Sequence, residues 1–447
     1  MDKQNGKEAM RGKSTQQLTF GDGFIDPELF RLDEELQQVD ELLSEQALLK
    51  PFEESFDSTM GRSGTPVDVY LRMMYLKFRF GLAYEEVERE VRERLPWRRF
   101  CHLSLMDAVP DSTTLIKLNQ RFGDEMISNL NKHLIKHLIK TKSIKPRKIR
   151  IDSTTIESHI TYPTDVKLLH SVVTTLTRTA TKLGKNITSH VRATKKAVAR
   201  LGQSLKVHSD TSKREAQKTL KMVAHLAQKT VDESRRVLKR MNRSAKSCKQ
   251  VTSFNDQIAL AEQILSQTKE KLQGVESIAD RIVSFHDPEA RVIRKGKLGK
   301  PNEFGRTLEL VQDQSGLMID YTIQAGNPSD KTRAVPLVKR FKRKFGIAPD
   351  SVALDKGYYT PDNLTQLQTL GVRRIGLAKI GRLTPRERRK QKSRWFKNLQ
   401  RFRCGIEASI SMLKRCFSLG QIFTRGSPAT AIWVGFSIFS YNLWQMT

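Results

Sequence analysis

The sequence predicts a mixed α/β protein with an all-α N-terminal part and a long helical insertion after the first strand of a mixed sheet. Three observations predict it. Apolar residues recur at helical spacing up to about residue 145. Strand-like alternation appears at Lys148-Ile149-Arg150-Ile151-Asp152 and resumes near 304. Between them, 170–285 carries helical periodicity with almost no strand signal and no proline before Pro288. The chain has 447 residues, and a single core rarely grows past roughly 250–300, so several domains are expected. The expected divisions are 1–145 (helical, DNA binding), 146–169 (first part of the α/β domain), 170–285 (basic helical insertion) and 286–447 (remainder of the α/β domain).

Taken in order, residues 1–20 are polar and expected to be mobile. Leu36, Val39, Leu42 and Leu43 form one helical stripe, and Val69, Leu71, Met73, Met74 and Leu76 another. Asp111-Ser112 before Leu115-Ile116-Lys117-Leu118 reads as a capped helix start. Helices near 83–94 and 112–122 make either a helix-turn-helix or a plain scaffold, and local signals do not choose. The alternation ending at Asp152 is the first strand. Thr307–Val311 and Leu317–Ile323 flank Asp313-Gln314-Ser315-Gly316, a hairpin signal. A helix at 331–345, a strand at Ser351–Asp355, a helix opening at Pro361 and a strand at Val372–Leu377 follow. Two helices near 396–416 and 428–446 close the chain. The last is apolar, but it is short and holds Ser437, Ser440 and Asn442, so it reads as a buried helix rather than a membrane span.

The insertion carries three apolar seams, Leu176 to Leu205, Leu220 to Met241 and Ile258 to Ile282. Linkers are expected at Ser209–Ser212 and Val251–Ser253, giving three long antiparallel, coiled-coil-like helices. Gly184 and Gly202 should weaken the first. No signal peptide is visible, and Cys101, Cys248, Cys404 and Cys416 form no CxxC pair, which fits a reducing cytoplasm.

The net charge is +31. Residues 171–250 hold 20 Lys or Arg against 4 acids, and 381–420 hold 12 against Glu387 and Glu407. A merely solvated helical face mixes both signs. This imbalance favours a polyanion, and Arg235, Arg236, Lys239 and Arg240 fall off the seam where phosphate can reach them.

Three acids could carry chemistry. Asp152 and Asp355 stand at strand ends, and Glu407 lies on the late helix with Arg403, Ser411 and Lys414 along one face. Converging carboxylates repel unless cations neutralise them, and magnesium suits oxygen donors and phosphate together. Taken singly, each aspartate reads equally as a turn cap, and Arg403 with Glu407 as a weak i,i+4 pair of about 0.3–0.5 kcal/mol. Glu157, His159, Asp165, Asp287, Glu289 and Asp320 compete. Asp287, before Pro288, reads as a turn former, and Asp320 as solvent-facing. His170, His208 and His225 lack metal-ligand spacing and read as surface residues.

Three motifs together carry a resemblance: Ile151-Asp152-Ser153-Thr154, Ala353-Leu354-Asp355-Lys356-Gly357-Tyr358, and Arg403-x3-Glu407-x6-Lys414. Pro110–Thr114, Asp287–Arg291 and the close from Trp433 to Leu443 add to it. The chain resembles the DDE transposases of bacterial insertion sequences, from about residue 60 to the end apart from the insertion. It is similar to the broad group of insertion sequences four and five, or to a less classified family with Ile151–Thr155 and Tyr162–Asp165 motifs. The resemblance implies an RNase H-like catalytic domain with Asp152, Asp355 and Glu407 as ligands of two Mg2+ ions, for which Mn2+ can substitute. It implies that Arg403 and Lys414 help hold the transposon-end phosphates, and Lys356, next to Asp355, is a further candidate DNA contact. It implies binding of terminal inverted repeats, metal-dependent cleavage and strand transfer into target DNA. The expected partners are double-stranded DNA and further copies of the chain as a homodimer or larger, with no membrane and a place at the bacterial nucleoid. A nuclease without strand transfer and a non-catalytic DNA-binding derivative remain alternatives. Two departures stand out: Gln400 occupies the position of the family's Tyr, and the insertion follows the first strand.

Overall fold

The computed structural model describes residues 23, 25–54, 64–160, 162, 164–204, 210–242, 249–275, 278–297, 300–326 and 328–447. Residues 1–20, Pro163, Leu205, His208, Ser209 and Cys248, all weighed above, lie outside them. The chain divides into two units, Met1–Glu157 with Thr307–Thr447, and Ser158–Arg306.

The first unit opens with helices α1 (Glu34–Leu43), α2 (Gln46–Glu53), α3 (Val67–Phe80), α4 (Tyr84–Glu93), α5 (Leu95–Phe100) and α6 (Ser112–Lys140). Their starts follow local chemistry. Asp33 accepts from Leu36 N at 2.7 Å and Asp111 from Thr114 N at 2.6 Å, each satisfying an orphan helix donor. α3 ends at Gly81, whose φ of 68° suits a left-handed cap. The pair weighed as a helix-turn-helix is α4 and α6. α5 and the segment 101–111 separate them, so no tight turn of the usual 3–4 residues joins them.

The sheet follows. β1 (Lys148–Ser158) pairs in parallel with β5 (Ser351–Leu354), which pairs in parallel with β6 (Arg374–Gly376). On the other side of β1 lies β3 (Lys300–Asp313), whose second half pairs antiparallel with β4 (Met318–Ile323). The hairpin turn is held by Asp313, whose carboxylate accepts from the backbone N–H groups of Ser315 and Leu317 at 3.0 Å each. α11 (Ala334–Phe345) buries Val335, Leu337, Val338 and Phe341. α12 (Pro361–Thr369), α13 (Pro385–Lys392), α14 (Arg394–Cys416), the short β7 (Gln421–Ile422) and α15 (Ser427–Gln445) complete the unit.

α15 is buried from Ile432 to Leu443 and packs on α3 and α6. A Cβ at Gly435 would come within 2.6 Å of Ile127, so glycine is what permits this approach. Among the described residues no helix is long and apolar enough to cross a membrane. Asp320, expected to face solvent, does not. α11 lies over it, and Arg340 and Lys344 bond its carboxylate at 2.6 and 3.5 Å.

The second unit holds α7 (Asp165–Lys182), α8 (Val191–Ser204), α9 (Asp210–Asn242) and α10 (Lys249–Leu272), with β2 (Arg291–Lys297) antiparallel to the first half of β3. Four helices stand where three were expected. Gly184, at φ +68°, ends the first seam after Leu183, because the left-handed region costs glycine little. Asp210–Ser212 and Val251–Ser253, expected as linkers, lie inside the N-terminal parts of α9 and α10. Leu176, Val223, Ala227, Val231, Ile258, Ala261 and Leu265 form the core. Asp287 makes the expected turn, its carbonyl accepting from Ala290 N at 3.1 Å. Its side chain also accepts from Arg306 at 2.9 and 2.6 Å, and Arg306 reaches Glu289 at 3.0 Å. Asp165 pairs with Lys271 at 2.7 Å and with Arg281. These competing acids are engaged in structural ion pairs.

Candidate active site

The site builds from strand register in the first unit. Ile151 pairs with Leu354, so the next residues, Asp152 and Asp355, leave neighbouring strands at the same level. β1 continues to Ser158, so Asp152 lies within the strand rather than at its end as the sequence pattern suggested. Asp355 follows β5 directly and caps a single 3-10 turn, Lys356–Tyr358, accepting from Gly357 N at 3.5 Å. α14 supplies Arg403 and Glu407, one turn apart.

Arg403 is the hub. Its Nη1 lies 4.0 Å from Asp152 Oδ2 and 3.8 Å from Asp355 Oδ1, and its Nη2 lies 3.1 Å from Glu407 Oε1. The three acids therefore surround one guanidinium. Burial pushes the Asp152 carboxyl up to about 6; the Ser153 N–H at 2.8 Å and Arg403 oppose this, while Asp355 and Glu407 add to it. Among the described residues, no group of three or more acid, His or Cys side chains is gathered tightly enough to hold a metal ion as it stands. The donor chemistry nevertheless fits a hard divalent cation: the groups are carboxylate oxygens, two of them sharing one cationic nitrogen.

A second layer fixes α14 against β1. Arg150 lies two residues before Asp152, on the same face of the strand. It donates to Phe402 O and to Gln312 Oε1, both at 2.7 Å, and its guanidinium sits 4.7 Å from the Phe402 ring centre. Gln312 in turn donates to Ser409 Oγ at 2.8 Å. Gly405 makes room, since a Cβ there would collide with the Arg150 guanidinium. Gln400 donates to Gly376 O at 2.7 Å and ties α14 to β6.

Asp330 comes near as a further acid. Ser153 Oγ donates to it at 3.4 Å, and a Cβ on Gly357 would lie 3.4 Å from Asp330 Oδ2 and 3.6 Å from Asp355 Oδ2. Sequence reasoning missed Asp330 because it sits in an irregular stretch with no periodicity. It also missed Arg150, although strand alternation places 150 and 152 together.

The remaining predicted residues lie apart. Lys356 is exposed beside Asp355. Lys414, two turns beyond Glu407, lines a 690 Å³ cleft with Lys77, Tyr84, Arg415 and Trp433. In the second unit, Arg235, Arg236, Lys239 and Arg240 are all exposed on α9, off the buried seam. Arg235 is paired with Glu262 of α10 through Nε at 2.7 Å.

Residues 27–121 match the model of the Transposase domain (DUF772) family, and residues 282–443 match that of the Transposase DDE domain family. The second match contains Asp355, Arg403, Glu407 and Lys414; Asp152 and α7–α10 fall outside both. A Rhizobium meliloti protein described as "Uncharacterized protein ORF8 in nfe locus" is 27% identical over 158 residues, covering 33% of this chain and 76% of that protein. No solved structure matches. The chain is thus similar to transposases in two places, with a transposase model matching its N-terminal helices and a transposase DDE model matching its C-terminal α/β region.

Proposed function

We propose that the chain is a transposase that binds the terminal inverted repeats of its element, cuts DNA there and joins the freed 3′ end to target DNA, with Asp152, Asp355 and Glu407 as its catalytic acids. The observation that carries the reading is the β1–β5 register, which sets Asp152 beside Asp355, together with Arg403 bridging both to Glu407. Sequence reasoning from the motifs alone arrives at the same three acids.

Asp152, Asp355 and Glu407 would hold two Mg2+ ions, or Mn2+ in their place. Bound there, the ions would activate the attacking oxygen and stabilise the leaving one. The chain itself does the positioning. The β-strand pair holds two acids side by side, and Arg150 and Gln312 hold the helix carrying the third. Arg403 keeps the carboxylates within one group's reach and offers positive charge to a phosphate. Lys356, next to Asp355, and Lys414, seven residues beyond Glu407, add further positive charge. No protein nucleophile is needed, because phosphoryl transfer of this kind depends on positioning and charge neutralisation.

In this reading the first unit's sheet is the RNase H-like catalytic domain, with divisions at 146–169 and 286–447. Residues 1–145 bind DNA, and the helices of 170–285 form a coiled-coil-like arm that grips it through Arg235, Arg236, Lys239 and Arg240. Joining two DNA ends calls for at least two copies of the chain, working at the bacterial nucleoid. The test is incubation of the purified protein, in Mg2+, with a linear fragment bearing both ends of its element and a supercoiled target plasmid. Joined products support the reading. Nicks without joining favour a nuclease, and binding without nicks favours a non-catalytic derivative.

A further inference from the structure

α11 ends on Lys339-Arg340-Phe341-Lys342-Arg343-Lys344, and no acid stands anywhere from Lys331 to Lys344. The bland account is electrostatic capping, since cations in a last helical turn offset the macrodipole by about 0.3–1 kcal/mol each. That account covers only some of these side chains. Arg340 and Lys344 converge on one carboxylate, Asp320. Lys344 also donates to Ile319 O at 2.6 Å, and Lys342 donates to Leu370 O at 3.3 Å. Lys339 and Arg343 are different. They stand one turn apart, are exposed, and make no hydrogen bond or ion pair among the described residues. Lys339 lies before the last turn, where the dipole effect has faded.

Space and charge coincide at these two residues. Arg343 lines two cavities of 420 and 310 Å³. The smaller is also lined by Lys339, and the larger is walled across from α11 by Lys132 and Ser128 of α6. Lys132, Arg340, Arg343 and Lys344 all line the larger cavity against a single acid, Asp320, which two of them already neutralise. Burial lowers the Lys344 pKa against the pull of Asp320, and Arg340 and Lys132 lower it further. Cations crowded this way repel one another, and a bound polyanion relieves the repulsion.

We propose that this face, formed by Lys339 and Arg343 of α11 with Lys132 of α6, is a further contact for the sugar-phosphate backbone of duplex DNA, distinct from the acid cluster. The proposal rests on the DNA-joining function above. The helix makes the link. α11 begins four residues after Asp330, the acid beside Ser153, and its rise of about 1.5 Å per residue carries the basic face away from the catalytic acids. A duplex held at the acids has a continuing backbone, and this face can take it. Three phosphate contacts would contribute a log–log salt slope of about 2.7 on B-DNA.

The test is duplex binding as a function of salt for wild type and for the triple variant Lys132→Gln, Lys339→Gln, Arg343→Gln. All three residues are exposed and none pairs with a carboxylate, so the variant should keep the wild-type melting temperature. The expected result is a slope flatter by about 2–3, equal for all DNA sequences. The charge-keeping pair Lys132→Arg, Lys339→Arg should keep the wild-type slope. An unchanged slope in the triple variant, with wild type binding normally, would overturn this contact and leave the catalytic reading intact. A wild-type protein that neither bound nor cut DNA would overturn both.

Discussion

Arg150→Met should slow DNA cleavage about a hundredfold while leaving DNA binding in place, because a misplacement near 1 Å at a reacting centre costs on that order. The structure supplies the reason. Arg150 ties β1, which carries Asp152, to the carbonyl of Phe402, the residue before Arg403 on α14. Its second bond, to Gln312, continues to Ser409 on the same helix. Methionine keeps the stem but removes both donors, so α14 can shift against β1. A hundredfold loss corresponds to about 2.7 kcal/mol of transition-state stabilisation. The assay is single-turnover cleavage at saturating DNA and Mg2+. Gly405→Ala provides an independent check. In a helix interior that change ordinarily stabilises by about 1 kcal/mol. Here the new Cβ collides with the Arg150 guanidinium, so the rate should fall instead. Once Arg150 is methionine the collision is gone, and adding Gly405→Ala should cost little more. A rate for Arg150→Met within about threefold of wild type, or fully additive losses in the double variant, would refute the reasoning.

Asp287→Ala should destabilise the second unit by about 3 kcal/mol, since it removes two carboxylate bonds from the buried Arg306 guanidinium and leaves it the half-exposed Glu289, whereas Asp287→Leu with Arg306→Met should be near neutral; thermal or urea unfolding decides, and a cost under about 1 kcal/mol for Asp287→Ala would count against it. Burial lowers the His102 pKa, but its hydrogen bonds to Asp40 and Asp68, at 3.0 and 3.1 Å, outweigh this and hold it above its usual value of 6.5. Its stabilising contribution should therefore be complete below pH 6.5 and fade as pH rises through the raised value, and His102→Gln should remove that component from the pH–stability curve. Replacing Arg236, Lys239 and Arg240 by Gln should flatten the salt slope of DNA binding by up to about 3, and an unchanged slope would leave α9 without a DNA role.

Much of the fold was legible because its signals are local. Alternation marked the core of β1, and Asp313–Gly316 marked the hairpin, since a strand's period and a turn's residue types are written in adjacent positions. Where tertiary context decides, the sequence misled. Lys300-Pro301-Asn302-Glu303 has no apolar alternation, so the start of β3 was missed. Asp210–Ser212 and Val251–Ser253 read as linkers because Asp, Ser and Thr favour turns, although here they continue into helices. One glycine, Gly184, divided a seam whose apolar spacing ran straight through it. At the site, the pairing of Asp152 with Asp355 depends on a register between strands two hundred residues apart, which periodicity cannot give. The neutralised Asp320 and the Arg150 tie were equally hidden, because both depend on which helix lies over which strand.

In the proposed function, DNA is cut at the acids gathered around Arg403. Asp355→Asn tests it most directly, because Asp355 is part-exposed and its loss leaves Arg403 still paired with Glu407 at 3.1 Å, so the fold should hold. The measurement is Mg2+-dependent cleavage of duplex ends, run beside binding of the same DNA. The account predicts binding retained and cleavage abolished. Cleavage by Asp355→Asn at the wild-type rate would contradict it and place the chemistry elsewhere on the chain.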